Sequence, residues 1–194
     1  MLAAPWTLVS VALASARSVV HLHTGVSVAA DALHVLHAAR LKCRLGCSSC
    51  CVDDLQVFAI EADRIRACHP DLLAIGAPHA KGACAFLDDR GACRIYDERP
   101  YVCRTQGLPL RWLEENDDDS TVELRDICPL NDADPALDPL EALPAETCWT
   151  IGPIEEELAK MQLATDAKAV RVALRDLFTN HLANDGTKQK VSES

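Results

Sequence analysis

Aromatic residues and cations are scarce in this sequence, and the common catalytic motifs are missing. Phe, Trp and Tyr make up 4% of the 194 residues, so a core must be built mainly from Leu, Val, Ile and Ala. Lys and Arg number 19 against 29 Asp and Glu, which gives a formal net charge of −10. So acidic a chain has little means of neutralising phosphates, and we expect neither a nucleic-acid partner nor a membrane partner. No G-x-S-x-G, P-loop or GxGxxG motif occurs.

Long hydrophobic runs are also missing. Residues 5–16 form an apolar stretch that is too short to span a bilayer. It ends in Ala14-Ser15-Ala16, as a signal peptide does, but no Lys or Arg precedes Arg17. We therefore interpret it as a helix packed on the domain or as an over-extended translation start. A cytoplasmic protein follows from this interpretation, with a secreted or periplasmic protein as the alternative.

Cysteine, in contrast, is plentiful, with ten residues in the chain. Four of them lie in the segment Cys43-Arg-Leu-Gly-Cys47-Ser-Ser-Cys50-Cys51, which we call the cysteine run. A disulfide within this run would close almost no loop and would stabilise the fold little. Four thiols at this spacing favour thiolates that converge on a metal ion.

A second group of cysteines follows a hairpin pattern. Cys84-Ala-Phe-Leu, the turn Asp88–Gly91 and Cys93-Arg-Ile-Tyr predict two strands with a thiol on each. The chain after Tyr96 can bring a further cysteine back toward the same end, and the cysteine run could close the site. The predicted metal ligands are Cys43, Cys47, Cys50, Cys51, Cys84, Cys93, Cys103 and Cys128.

These eight thiols would suffice for two four-coordinate sites or for one larger cluster, and both remain open. Neighbouring side chains of an extended chain point to opposite faces. Cys50 and Cys51 therefore reach one metal easily only if the backbone turns between them. Otherwise they would serve two separate centres.

Arginines directly follow three of the predicted ligands, as Arg44, Arg94 and Arg104. Four thiolates around a divalent ion leave excess negative charge, which nearby cations could offset while lowering the pKa values of the thiols. The alternative is that all three are ordinary surface residues.

Three segments together resemble a known family: the GCxxCC run at residues 46–51, Cys84-Ala-Phe-Leu, and CxIYxxRPxxCR at residues 93–104. They are similar to the CxxCxxCC cysteine-cluster proteins, the YkgJ-type zinc- or iron-chelating domain, over roughly residues 41–130. The family usually has two residues between its first two cysteines, whereas three separate Cys43 from Cys47 here.

The resemblance implies a metal ion as partner, with zinc, iron and an iron–sulfur cluster all possible cofactors. A similar domain occurs in flagellin lysine methylases, so one alternative is an iron–sulfur redox or radical-type enzyme component related to protein lysine methylation. A second alternative, from the cysteine count, is a secreted disulfide-rich protein. The sequence identifies no catalytic residue and leaves open whether the protein is an enzyme, and the protein partner is unknown.

Residues within the third motif are predicted to support the site rather than to react. We expect Tyr96 to pack over the site and shield it from water. Arg99 is expected to bind backbone carbonyls or a carboxylate such as Asp53 or Asp54. Pro100 is expected to begin a helical turn or to stiffen the bend that leads to Cys103.

Other possible ligands are given lesser roles. Cys68 and Cys148 lie outside the recognised pattern, and we expect them to be buried thiols that bind no metal. His69 and His79 lie in loops between cysteines and are the reserve ligands should a thiol be missing.

The fold class predicted is α+β, a small metal-organised cysteine-cluster domain with two short β-hairpins and flanking N- and C-terminal helices. The second hairpin is expected to join 107–113 to 121–127 through an acidic loop. Asp31 is the expected N-cap of a helix over 32–41. Apolar residues at helical spacing predict a further helix face: Ala167, Val170, Leu174, Leu177 and Phe178.

The domain organisation expected from these patterns has four parts. They are a helical lead over 1–40, a cysteine-cluster domain over 41–150, a C-terminal helical segment over 151–183 and a disordered tail over 184–194.

Overall fold

The chain combines helices with two small sheets, one antiparallel and one mixed, which confirms the α+β class. The computed structural model describes residues 18–165 and 171–178. The chain divides into two compact units. Unit 1 comprises Met1–Arg44 and Pro100–Thr165, and unit 2 comprises Leu45–Arg99 and Asp166–Ser194. The cysteine-cluster domain expected over 41–150 is therefore shared between the two units.

Unit 1 begins with helix α1, Val19–Leu36, whose N-cap Ser18 accepts a hydrogen bond from the backbone N–H of His21. Its buried face carries apolar residues at helical spacing: Leu22, Val26, Ala29, Ala30 and Leu33. The N-cap predicted at Asp31 is wrong, because this residue lies inside α1 on its exposed side. The apolar period runs without a break through Asp31, so burial of that face outweighs the local capping signal.

α1 is long and apolar enough to meet the length and composition requirements for crossing a membrane. Buried core helices and N-terminal signal sequences pass the same test, so this is weak evidence. Among the residues that the structure describes, α1 is the one helix that passes it.

The rest of unit 1 is a small sheet with short helices. Its three strands are β2 (Leu110–Glu115), β3 (Thr121–Asp126) and β4 (Trp149–Thr150), in the order β3-β2-β4. β2 and β3 pair antiparallel from Leu110 opposite Asp126 to Glu115 opposite Thr121, which confirms the second predicted hairpin. Helix α4, Tyr101–Thr105, contacts α1, and helix α5 spans Pro153–Thr165. The 3-10 turns of this unit are Pro129–Asn131, Leu140–Ala142 and Ala145–Thr147.

Unit 2 pairs strand β1, Gln56–Phe58, with strand β5, Arg171–Ala173, in antiparallel fashion. Helices α2 (Ala59–Cys68) and α3 (Pro70–Ile75) follow β1, and a 3-10 turn, Leu174–Leu177, follows β5. The core joins residues distant in sequence, and the Phe86 and Phe178 ring centroids lie 5.0 Å apart. Other members of this core are Val57, Ala62, Ile65, Ile95, Leu174 and Leu177.

The C-terminal helical segment predicted over 151–183 is only partly present. α5 is helical, but the prediction is wrong from Arg171 to Leu177, where the chain forms β5 and the 3-10 turn. Leu174 and Leu177 are three residues apart, a spacing that a 3-10 turn also places on one side. Pairing of residues 171–173 with β1 favours the strand and the 3-10 turn over a continuous helix. Ala167, Val170 and the tail over 184–194 lie outside the described residues.

Candidate metal centre

The backbone of the cysteine run turns at Cys50, which is the condition for Cys50 and Cys51 to bind one metal ion easily. The backbone N–H of Cys51 donates to the carbonyl of Ser48 at 2.9 Å, which closes a turn through Cys50. The side chain of Cys51 hydrogen-bonds to Cys50 and lowers the pKa of Cys50 to about 6, although burial opposes this shift. The two sulfurs therefore lie side by side, and their hydrogen bond favours the thiolate form of Cys50.

Two glycines bring the cysteine run against the turn of the first hairpin. Gly46 has φ +83, and a Cβ there would lie 3.3 Å from the carbonyl oxygen of Arg90. Gly91 has φ +75, and a Cβ there would lie 3.2 Å from the carbonyl oxygen of Gly46. Both positions favour glycine through their left-handed backbone and their close approach. Cys47, next to Gly46, is thereby held beside the hairpin turn.

The first hairpin is present in minimal form and carries two of the predicted ligands. Leu87 and Cys93 form a single antiparallel bridge, and the N–H of Arg94 donates to the carbonyl of Phe86 at 2.9 Å. Burial raises the pKa values of both Cys84 and Cys93, and the charge of Cys84 raises that of Cys93 further. The two thiols are thus close enough to influence each other.

A backbone hydrogen bond connects the cysteine run to this hairpin. The N–H of Cys84 donates to the carbonyl of Cys51 at 2.9 Å. Two segments that are far apart in sequence, each bearing predicted ligands, therefore meet at cysteine residues. The thiols that unit 2 contributes are Cys47, Cys50, Cys51, Cys84 and Cys93.

Arg175 and Asp53 form an ion pair next to these cysteines, which the sequence did not predict. Nε of Arg175 donates to Oδ1 of Asp53 at 2.8 Å, and Oδ2 of Asp53 accepts from the N–H of Gly82 at 2.9 Å. Arg175 also donates to the carbonyls of His79 at 2.7 Å and Ala83 at 2.9 Å. An arginine 122 positions beyond Asp53, in a segment predicted to be helical, gave no local signal of this contact.

The arginines that follow cysteines have different surroundings. Arg94 donates to the carbonyls of Ala77 and Ala85, and its guanidinium lies 5.3 Å from the Phe178 ring centroid. Its charge lowers the pKa values of Cys84 and Cys93, against the larger effect of burial. The pKa values of both thiols are raised overall, and the charge-offsetting role of Arg94 at a metal site stays a prediction.

The other two arginines belong to unit 1. Arg104 is buried and donates to the hydroxyl of Ser27 on α1 at 2.8 Å, whereas Arg44 is exposed. The buried position of Arg104 contradicts the alternative of an ordinary surface residue for this arginine.

Tyr96 and Arg99 form a pair of their own on unit 2. The guanidinium of Arg99 lies 3.9 Å from the Tyr96 ring centroid, and Nη1 donates to the carbonyl of Tyr96 at 2.8 Å. The backbone-carbonyl role expected of Arg99 is confirmed, while Asp53 pairs with Arg175 instead. Tyr96 is 60% exposed, so its ring is a surface group rather than a buried cover.

Unit 1 holds the other three predicted ligands, Cys43, Cys103 and Cys128. Asn131 is 2% exposed and donates from Nδ2 to the sulfur of Cys43 at 3.6 Å and to the carbonyl of Gly107 at 2.8 Å. A Cβ at Gly107 would lie 2.7 Å from that sulfur. The missing side chain of Gly107 thus leaves space for the thiol of Cys43, and the amide of Asn131 donates a hydrogen bond to that thiol.

The backbone around the other two ligands is locally ordered. The N–H of Cys103, on α4, donates to the carbonyl of Pro100 at 3.0 Å, which agrees with the helical turn predicted at Pro100. The carbonyl of Cys128 accepts from the N–H of Asn131 at 2.7 Å. Asn131 was not singled out in the sequence, since a lone Asn after Cys128-Pro129 carries no spacing signal.

The residues given lesser roles have different surroundings. Cys148 is buried as expected, and Cys68 is only partly buried. Nε2 of His69 lies 2.9 Å from Oε2 of Glu98, and the backbone N–H of His79 donates to the carbonyl of Ala85. No disulfide joins any of the ten cysteines, all of which lie in the described part of the chain.

The donor set fits zinc or iron by its chemistry, because clustered thiolates are the ligands that both metals accept. The space at Gly107 and the turn at Cys50 fit a role for the sulfurs as ligands. Across residues 18–165 and 171–178, however, no group of three or more His, Cys, Asp or Glu is already arranged to hold an ion. The structure brings two pairs of sulfurs in unit 2 together, Cys50 with Cys51 and Cys84 with Cys93.

Comparison with known proteins supports the same chemistry. No curated protein and no solved structure matches the chain. Residues 42–129 match the family model CxxCxxCC, described as "Putative zinc- or iron-chelating domain". This range contains all eight predicted ligands and confirms the resemblance seen in the sequence. Over residues 42–129 the chain is therefore similar to the CxxCxxCC zinc- or iron-chelating family.

Proposed function

We propose that the protein binds zinc or iron through cysteine thiolates and that the metal organises the cysteine-bearing loops of unit 2. The observation that carries this proposal is the 2.9 Å hydrogen bond from the N–H of Cys84 to the carbonyl of Cys51. It brings a strand of the first hairpin to the turn that sets Cys50 and Cys51 side by side. Thiols from both sides can then bind one ion with small changes in the loops.

The ligands in this proposal come from the eight predicted cysteines. Unit 2 supplies five, one more than a tetrahedral site needs. Cys43, Cys103 and Cys128 of unit 1 remain predicted ligands, and the amide of Asn131 supports this role for Cys43. Donors that hydrogen-bond to a metal-bound sulfur fix its orientation and stabilise its charge.

A largely structural role for the metal follows from the surrounding fold. Residues 42–52 lie in turns and irregular backbone, and the chain has few aromatic residues with which to stabilise such loops. Where a metal site forms only in the folded chain, the free energy of metal binding becomes free energy of folding. Such thiolates must stay reduced, which favours a cytoplasmic location.

Anaerobic purification followed by metal analysis and a visible spectrum tests the proposal. Near-stoichiometric zinc in a colourless protein supports a structural zinc site. Iron without sulfide supports a mononuclear iron site. Iron together with sulfide and a brown colour supports an iron–sulfur cluster, and with it a redox or radical-type role related to lysine methylation.

One result would contradict the proposal in every form. A protein without metal, whose cysteines resist alkylation until a reductant is added, would instead be a disulfide-rich protein. Alkylation with and without reductant, followed by mass spectrometry, counts the reduced thiols directly.

A further inference from the structure

The last described segment of the chain, Arg171–Phe178, is an integral part of the cysteine-bearing unit although it lies outside the family match. β5 pairs with β1, and the N–H of Leu174 donates to the carbonyl of Leu55 at 2.9 Å. Phe178 is fully buried in the core against which Cys84 and Cys93 pack. This packing fixes the position from which Arg175 extends toward the cysteines.

The side chain of Arg175 connects two segments that each bear a predicted ligand. Asp53 lies two residues after Cys51, and Ala83 directly precedes Cys84. Nε and Nη2 of Arg175 both approach Oδ1 of Asp53, at 2.8 and 2.7 Å, while Nη2 also donates to the carbonyl of Ala83 at 2.9 Å. One guanidinium thus holds both segments, beside the Cys84–Cys51 backbone bond.

The burial of this ion pair makes it unlike an ordinary surface pair. The side chains of Arg175 and Asp53 are 11% and 14% exposed. Ionised groups that are partly removed from water are costly unless their donors and acceptors are satisfied. Here Nη1 donates to His79, and Oδ2 of Asp53 accepts from Gly82, so the pair holds the whole loop that leads to Cys84. Arginine suits this position because its planar fork can bind several acceptors at fixed angles.

We propose that Arg175 is a positioning residue of the metal centre, which ties the Cys51 segment to the Cys84 segment so that thiolates from both can reach one ion. This inference rests on the proposed metal-binding function. It adds that the metal-binding unit requires a C-terminal segment that the family match at residues 42–129 does not include.

Zinc affinity of full-length variants tests this role. Wild type, Arg175→Ala, Arg175→Lys and Arg66→Ala are stripped of metal under reducing conditions, and zinc binding is measured by competition with a chromogenic chelator. Arg66 is the matched control, because its ion pair with Asp63 lies on the exposed side of α2 in the same unit. Cobalt(II) titration of each variant adds the thiolate-to-metal charge-transfer band, which reports how many sulfurs bind.

We expect Arg175→Ala to weaken zinc binding by about 10-fold or more, as the loss of a group that orients metal ligands does. Its cobalt band should also be weaker than that of wild type. Arg175→Lys keeps the positive charge, but a lysine cannot reach Asp53 and the loop carbonyls together. Its zinc affinity should therefore lie between that of wild type and that of Arg175→Ala. Arg66→Ala should match wild type in both measurements.

Three results would each contradict either the metal-binding function or the positioning role of Arg175, and the measurements distinguish these two outcomes. Wild type that binds neither zinc nor cobalt, and that contains neither zinc nor iron when purified anaerobically, would contradict the metal-binding function itself. Wild-type binding with equal affinity and an equal cobalt band in Arg175→Ala would contradict the positioning role, even if the melting temperature fell. Should Arg175→Ala fail to fold, Arg175→Lys decides, and an affinity equal to that of wild type would contradict the positioning role.

Discussion

The side-chain amide of Asn131 donates a hydrogen bond to the sulfur of Cys43 at 3.6 Å. The same amide group donates to the carbonyl of Gly107, and its oxygen accepts from the backbone N–H of Lys42 at 2.8 Å. This buried side chain therefore fixes the segment that bears the first predicted ligand. Asn131 follows the family match by two residues, which places a supporting residue of the site just outside the recognised domain.

Replacing Asn131 by Ala should destabilise unit 1. The substitution leaves the buried carbonyl of Gly107 without this partner, and a buried polar group without a partner costs about 1–3 kcal/mol. We expect the free energy of unfolding, measured by urea denaturation, to fall by at least that amount. Asn116→Ala is the control, because Asn116 lies exposed at the tip of the β2–β3 hairpin. Equal stability of the two variants would show that the Asn131 contacts contribute nothing.

Gly107→Ala should interfere with Cys43 through contact as well as through backbone strain. Gly107 has φ +88, and the added Cβ would lie 2.7 Å from the sulfur of Cys43. Gly152→Ala is a matched control in the same unit, since Gly152 has φ +117 and nothing lies within 4 Å of its added Cβ. Both variants should lose about 1–2 kcal/mol from the left-handed backbone, and Gly107→Ala should lose more.

Differential scanning calorimetry of the two glycine variants measures this difference. Alkylation of Cys43, followed by mass spectrometry, should also be faster in Gly107→Ala than in Gly152→Ala, because the added Cβ displaces the sulfur from its hydrogen bond with the Asn131 amide. Identical melting temperatures and alkylation rates would contradict the close approach of Gly107 to Cys43.

Features that depend on neighbouring residues were predictable from the sequence. The turn Asp88–Gly91 and the acidic loop after β2 each carry their own turn residues, and both hairpins are present. The end of α2 at Cys68 has a similarly local cause, because His69 precedes Pro70 and the residue before proline is biased away from the helical region. The cysteine spacing likewise identified the family.

Features that depend on distant partners were not predictable. Residues 171–173 form a strand only because Gln56–Phe58 is available to pair with them, and no pattern within the segment shows this. The ion pair of Arg175 with Asp53 was not predictable for the same reason, since neither residue has a neighbour in sequence that indicates its partner. The local signal at Asp31 was misleading for a related reason, because packing of the whole α1 face outweighs one capping residue.

Phe178→Ala should destabilise unit 2 strongly, because the C-terminal segment is part of its core. The ring is fully buried and its centroid lies 5.0 Å from that of Phe86. Truncation of a buried Phe costs about 3–5 kcal/mol. Tyr96→Ala is the aromatic control in the same unit, since Tyr96 is 60% exposed, and its loss should be below about 1 kcal/mol. Urea denaturation of both variants provides the comparison, and a small loss in Phe178→Ala would contradict the packing of this segment.

Cys50→Ser should remove metal from the protein, while Cys68→Ser should not. Cys50 lies in the turn beside Cys51, and a serine hydroxyl at that position is a much poorer ligand for zinc or iron than a thiolate. Cys68 ends α2 outside the recognised pattern and has a similar, partly buried position. Metal analysis of both variants purified anaerobically should show reduced content in Cys50→Ser, together with a lower melting temperature, because bound metal stabilises the folded state. If Cys50→Ser retained the wild-type metal content and melting temperature, Cys50 would no longer be a ligand. If Cys68→Ser lost metal instead, the ligand set would have to include Cys68.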